Sequence, residues 1–186
     1  MQKTRCGWVN LSNLLYVKYH DEEWGRPVYD DTILFEFLVL EWAQAGLSWE
    51  TILKRREGYK KVFYNFDVKK CSELSDNKLE DISNDERIIR NRLKVFSVRN
   101  NAQVFLQIQK EFGTFSNYLW NFTRAKVVKN FPKTLSEVSV KTELSDFISK
   151  DLKKRGMSFV GSTITYAYLQ AVWVVDDHVE GCFCKK

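Results

Sequence analysis

The sequence predicts an all-α fold, and three observations carry that expectation. Apolar residues recur with helical spacing along most of the chain. Strand-type alternation is missing, apart from a few residues near Val138 and Val140. Only two prolines and eight glycines interrupt 186 residues, and no linker-like, repetitive or low-complexity tract divides them. A single domain over residues 1–186 is expected, long enough to bury a substantial core.

A helix is predicted near Thr32–Ala45 and another over Ser48–Phe63, with shorter helical pieces over Cys71–Ser83. Ser48 and Asp67 are suited to N-capping, because their side-chain oxygens can accept from the first turn of a helix. Helical spacing resumes over Ile88–Phe112, Phe115–Asn121, Glu143–Arg155 and Ser162–Val174. Gly113 and Gly156 follow two of these, where a left-handed residue closes a helix. Within them, DISNDERIIRNRLKV reads as a short helix, a tight polar turn and a basic helix. That is a helix-hairpin-helix candidate, whose turn could offer backbone N–H groups to a phosphate with Arg90 and Arg92 nearby. A plain α-hairpin with an exposed basic face fits the same letters.

Hydrophobic residues make up 44% and aromatic residues 15%, which excludes a disordered chain. The opening MQKTRCGWVN has no apolar signal region, and nothing approaches the roughly 18 apolar residues of a membrane span. A soluble, intracellular and cytoplasmic protein with no membrane partner is expected. The net charge of +5 suits a polyanionic partner. The basic residues gather at 54–56, 87–94 and 150–155, patterns that solvated helix faces also produce.

Four cysteines are too few for a disulfide scaffold, and their grouping with the only two histidines favours a metal. Cys6, His20, His178 and Cys182 supply the two nitrogens and two sulfurs of a tetrahedral zinc site. A helical C-terminal segment would set His178 and Cys182 one turn apart on one face. Cys184 competes with Cys182 as a ligand, and Cys71 reads as a core residue. A closed set leaves no position for water, so one structural Zn2+ per chain is expected, joining the two termini.

In DTILFEFLVLEWAQAGLSW, Leu34, Phe37, Leu38 and Ala45 fall on one helical face, with Glu41 near the middle of that stripe. A carboxylate aimed at the core must meet a cation, be protonated or line a cavity. Trp8, Tyr16, Tyr19, Trp24, Trp42 and Trp49 crowd the same part of the sequence. Most aromatics are core, yet a carboxylate among aromatic planes also suits a flat cationic ring.

The stretches RCGW, YVKYHDEEWGRP, LFEFLVLEWAQAGLSWETILKRRE, IIRNRLKV, LKKRGMSFVGSTI and DHVEGC run in order from residue 5 to 182. Together they resemble the type I, or constitutive, DNA-3-methyladenine glycosylases. That resemblance implies a helical base-excision-repair enzyme related to the helix-hairpin-helix superfamily, acting as a monomer on double-stranded DNA containing 3-methyladenine. It implies structural zinc on Cys6, His20, His178 and Cys182. The base pocket would map to Glu41, Tyr16, Tyr19 and Trp49, with Trp8 packing behind them. Gly46 and Leu47 would fall where the family inserts a side chain into the gap left by the flipped base.

Two departures bear on activity. Arg87 stands in the hairpin turn where glycine or another residue tolerant of positive φ is expected. Trp42 stands beside Glu41 where a small or polar residue is expected. If either compromised catalysis, the chain would be a non-catalytic, zinc-stapled DNA-binding module of the same fold.

Overall fold

The chain winds around its most apolar segment. The computed structural model describes residues 3–44 and 46–185. In it α2 (Asp31–Gln44) is buried at every residue from Leu34 to Ala43, Glu36 and Glu41 included. The one-sided stripe expected here is therefore wrong. Residues 49–62, 92–112, 115–121 and 162–171, helices α3, α6, α7 and α9, all pack on α2, so it has no solvent face. Ala45 lies outside the described residues.

Local chemistry sets the helix ends. A short α1 (Leu14–Lys18) is capped by Asn13 and runs into a π-helical turn, Tyr19–Glu23, neither of which the sequence pattern predicts. Helix α3 (Trp49–Val62) starts at Ser48, which accepts from the Thr51 N–H. The stretch expected as helical over 71–83 divides into α4 (Val68–Ser72), capped by Asp67, and α5 (Asp76–Ser83), capped by Ser75. Asn91 caps α6 (Arg92–Phe112), and Gly113 closes it at φ +83°. Asp31 then fixes the start of α7 (Phe115–Asn121), accepting from the Phe115 and Ser116 N–H groups at 2.8 Å each. Thr142 and Ser145 form a capping box on α8 (Glu143–Lys154).

The C-terminal region departs from the expectation. Helix α9 (Ser162–Ala171) stops short of Val174, because Trp173 turns left-handed at φ +63°. The chain then enters β2 (Val175–Asp176), which pairs in parallel with β1 (Val128–Lys129). The fold is mostly helical with this one minimal sheet among the described residues. Residues 177–179 are not helical, so His178 and Cys182 are not brought together by a shared helix face, and a turn through Gly181 returns the Cys182 N–H to the Val179 carbonyl. Alternation near Val138 and Val140 forms no strand. No helix among the described residues is long and apolar enough to cross a membrane.

Candidate active site and metal centre

The two termini meet at a buried donor cluster. Ligand atoms of His20, His178, Cys182 and Cys184 all lie within 4.8 Å of one another. His20 reaches it from the π-helical turn, and His178 and Cys182 from the segment after β2. Both histidines turn Nδ1 to a carboxylate, His20 to Asp21 and His178 to Asp176, at 2.9 Å each. That fixes the tautomer and leaves Nε2 facing the cluster, as ligating histidines are held in metal sites. His178 Nε2 is buried with no hydrogen-bond partner. The Cys182 thiol is pulled below its ordinary value, first by a hydrogen bond from the Cys6 thiol and then by His20, the direction that favours a thiolate ligand. The donors fit a structural metal ion.

Three of the four ligands expected from sequence are members of this group. Its fourth member is Cys184, while Cys6 adjoins it, hydrogen-bonded to Cys182 by its thiol and to His20 Nε2 by its N–H at 3.5 Å. Arg5 clamps the outer carboxylate Asp21 at 2.8 and 2.6 Å. Gly25, which the sequence reading did not single out, is left-handed at φ +66°. A β-carbon there would lie 2.2 Å from His178 Cε1, so no side chain can be added without displacing the ring.

The base-pocket candidates surround one cavity of about 170 Å³, lined by Trp8, Tyr16, Tyr19, Trp24, Glu41, Gln44, Trp49, Ala167 and Gln170. Trp8 packs edge-on to His20 at 5.2 Å and to Trp24 at 5.0 Å, so the metal centre and the cavity share an aromatic wall. Tyr19 tilts against Trp49 at 5.3 Å. Glu41 is 5% exposed, and no cation pairs with it among the described residues. Burial alone pushes its carboxyl up to about 8. The Trp49 indole N–H is likewise buried without a partner. A polar group left unpaired in a cavity is available to a ligand.

The Methyladenine glycosylase family profile matches residues 8–185. DNA-3-methyladenine glycosylase 1 of Escherichia coli K12 is 44% identical over 97% of this chain and 96% of its own. The chain belongs to the methyladenine glycosylase family. The DNA-3-methyladenine glycosylase of Haemophilus influenzae is 42% identical over 98% of each chain. A crystal structure of 3-methyladenine DNA glycosylase I superposes with a TM-score of 0.95 at 39% identity, covering 98% of this chain and all of that one. The glycosylase from Staphylococcus aureus superposes at 0.91 with 33% identity, covering 94% and 93%. The activity is that of a DNA-3-methyladenine glycosylase.

Neither departure from the family pattern disturbs the geometry of the cavity or of the turn. Trp42 is 1% exposed in the core and does not line the cavity. Arg87 is absent from the positive-φ residues. Asp85 accepts its N–H at 2.9 Å and pairs with its guanidinium at 2.5 Å, so the turn closes without glycine. Arg55 straps the turn by donating to the Glu86 and Ile88 carbonyl groups.

The DNA-facing candidates separate. Leu47 is 40% exposed, on the loop between the cavity residues Gln44 and Trp49, and Gly46 beside it turns at φ +84°. Arg90 is exposed and pairs with no carboxylate among the described residues. Arg92 is held by Glu80 at 2.8 Å and lies over the Phe96 ring. A second hairpin, between α8 and α9, turns through Gly156 at φ +100° and Phe159 at φ +59°. No side chain caps the start of α9, which runs on to Ala167 and Gln170 at the cavity.

Proposed function

We propose that this glycosylase recognises 3-methyladenine by drawing the cationic base out of duplex DNA into the Glu41 cavity. Methylation at N3 places a positive charge on the base and weakens its glycosidic bond, so little acid catalysis is required. Flipping costs a few kcal/mol, less for a damaged pair. In the free cavity at neutral pH Glu41 is held largely protonated by burial. The arriving cation supplies the missing counter-charge. Glu41 then ionises and accepts from the exocyclic amine, while Trp49, Tyr16 and Tyr19 offer stacking faces backed by Trp8. Water attacks the oxocarbenium-like sugar.

Leu47 fills the stack that the base vacates, and Gly46 gives its loop the turn it needs. Arg90, Arg92 and the uncapped first turn of α9 meet backbone phosphates. The metal is one structural Zn2+ on Cys6, His20, His178 and Cys182, tying the N-terminal segment to the C-terminal one. Cys6 is preferred over Cys184 because the Cys184 sulfur is engaged elsewhere, accepting from Arg26 at 3.7 Å and facing the His20 carbonyl at 3.9 Å. Buried thiols serving as metal donors suit a reducing, cytoplasmic setting. The chain acts as a monomer, with residues 1–186 as one domain.

A buried carboxylate without a cation, inside an aromatic cavity, carries this reading. The test is release of 3-methyladenine from methylated duplex by the wild type and by Glu41→Gln. Release should fall at least tenfold in the variant, the value of a charge-assisted hydrogen bond at roughly 1.5–3 kcal/mol. Equal release by both proteins would overturn the assignment. Binding of methylated DNA with no release by the wild type would favour a non-catalytic DNA-binding module.

A further inference from the structure

We propose that Gln170 is a second acceptor for the exocyclic amine of the base, locked in that role by Asp177, and that it makes the cavity reject bases bearing an oxo group there. The inference rests on the Glu41 pocket reading above.

Gln170 lines the cavity from α9 and Glu41 lines it from α2, and the two helices pack together. Its Nε2 donates to Asp177 Oδ2 at 2.6 Å. The same carboxylate accepts from Tyr166 Oη at 2.6 Å and from Asn130 Nδ2 at 2.7 Å, and it is 4% exposed. Both oxygens of Asp177 act as acceptors in this network. Gln170 therefore cannot flip its amide without turning a carbonyl oxygen against Asp177. Its own Oε1 has no hydrogen-bond partner among the described residues and is the polar atom left for the cavity. Gln44, also at the cavity, has no such lock, since none of its side-chain atoms is hydrogen-bonded among the described residues.

An exocyclic amine carries two N–H donors. Glu41 and Gln170 together offer one acceptor for each. An oxo group in that position, as in 3-methylguanine, would set its lone pairs against both. Glu41 can adapt by keeping its proton and donating it, because burial already favours the neutral acid. Gln170 cannot adapt. Discrimination therefore lies in the residue whose orientation is fixed, which acts against the wrong base as well as for the right one. Asp177 is a positioning residue in this scheme and never touches the base.

The experiment compares release of 3-methyladenine and 3-methylguanine from methylated duplex by the wild type, Gln170→Met and Asp177→Asn, with melting temperature and zinc content recorded for each protein. The wild type should favour 3-methyladenine. Gln170→Met should cut that release about tenfold and raise 3-methylguanine release, since the amine loses an acceptor and the oxo group loses a repulsion. Asp177→Asn should narrow the ratio too, because an asparagine amide permits Gln170 to flip. Equal release of the two bases by the wild type would overturn the proposal without any variant. A common fall for both bases in folded, zinc-loaded variants, or an unchanged ratio, would also overturn it. Release of neither base by the wild type would instead sink the pocket reading.

Discussion

Helix α2 buries two glutamates, and the fold treats them in opposite ways. Glu36 meets Arg56 Nε at 2.7 Å and Lys60 Nζ at 3.7 Å, so its charge is neutralised by the protein itself. Glu41 lines a cavity walled by aromatic residues and pairs with no cation among the described residues. Identical side chains on one helix thus serve two ends. The first ties α2 to α3, and the second is an electrostatic vacancy that a positively charged base can fill. Buried polar groups that are paired report on stability, and those that are not report on function. The metal centre belongs with Glu36 on this scale, because Asp21, Asp176 and Arg5 satisfy its outer atoms.

Removal of the proposed zinc should break the paired side hardest. Chelation, or Cys6→Ser, should free the N- and C-terminal segments and loosen the shared wall at Trp8 and Trp24. Peptide sites set an upper guide of about 10–16 kcal/mol. A fall in melting temperature of more than about 10 °C, with loss of bound zinc from Cys6→Ser and its retention by Cys184→Ser, is the expected outcome. The reverse pattern in the two serine variants would make Cys184 the ligand.

Glu36→Gln comes next. It strands Arg56, which keeps only Glu23 at 2.5 Å, and should cost about 3 kcal/mol, read as a lower denaturation midpoint. Turnover of the folded fraction should be unchanged. Smaller again is Leu47→Ala, which should weaken binding to duplex containing an abasic-site analogue about tenfold and move stability by less than about 0.5 kcal/mol. A large stability loss there would return Leu47 to the core.

Much of this architecture was legible in the sequence, because it depends on neighbours along the chain. Helix α7 has the bounds its pattern implies, and Ser48, Asp67 and Gly113 end or begin helices as their chemistry requires. What was hidden depends on distant residues. The parallel β1–β2 pair joins segments far apart in sequence and leads the chain into His178 without the helix that would have set it one turn from Cys182. The spacing in the sequence singled out Glu41 and not Glu36, whose partner Arg56 comes from α3. Gln170 and Ala167 come to the cavity from α9, which no spacing around Glu41 could announce. Gly25 had a local signal, a glycine closing HDEEWG, yet its reason is the His178 ring from the other terminus.

The central claim is that Glu41 is left unpaired, and the pH dependence of stability tests it most directly. A carboxyl raised from 4.5 in the unfolded chain to about 8 in the fold binds an extra proton between those values. Native stability must therefore fall as pH rises through that window, by about 1.4 kcal/mol per unit at most. Glu41→Gln removes that dependence. The unfolding free energies of the two proteins should be similar near pH 5. By pH 8 the glutamine variant should be the more stable by a few kcal/mol, a figure that water penetration into the cavity would reduce. A glutamine variant less stable than the wild type by a constant amount across this range would mean that Glu41 has a buried cationic partner, and would contradict the account.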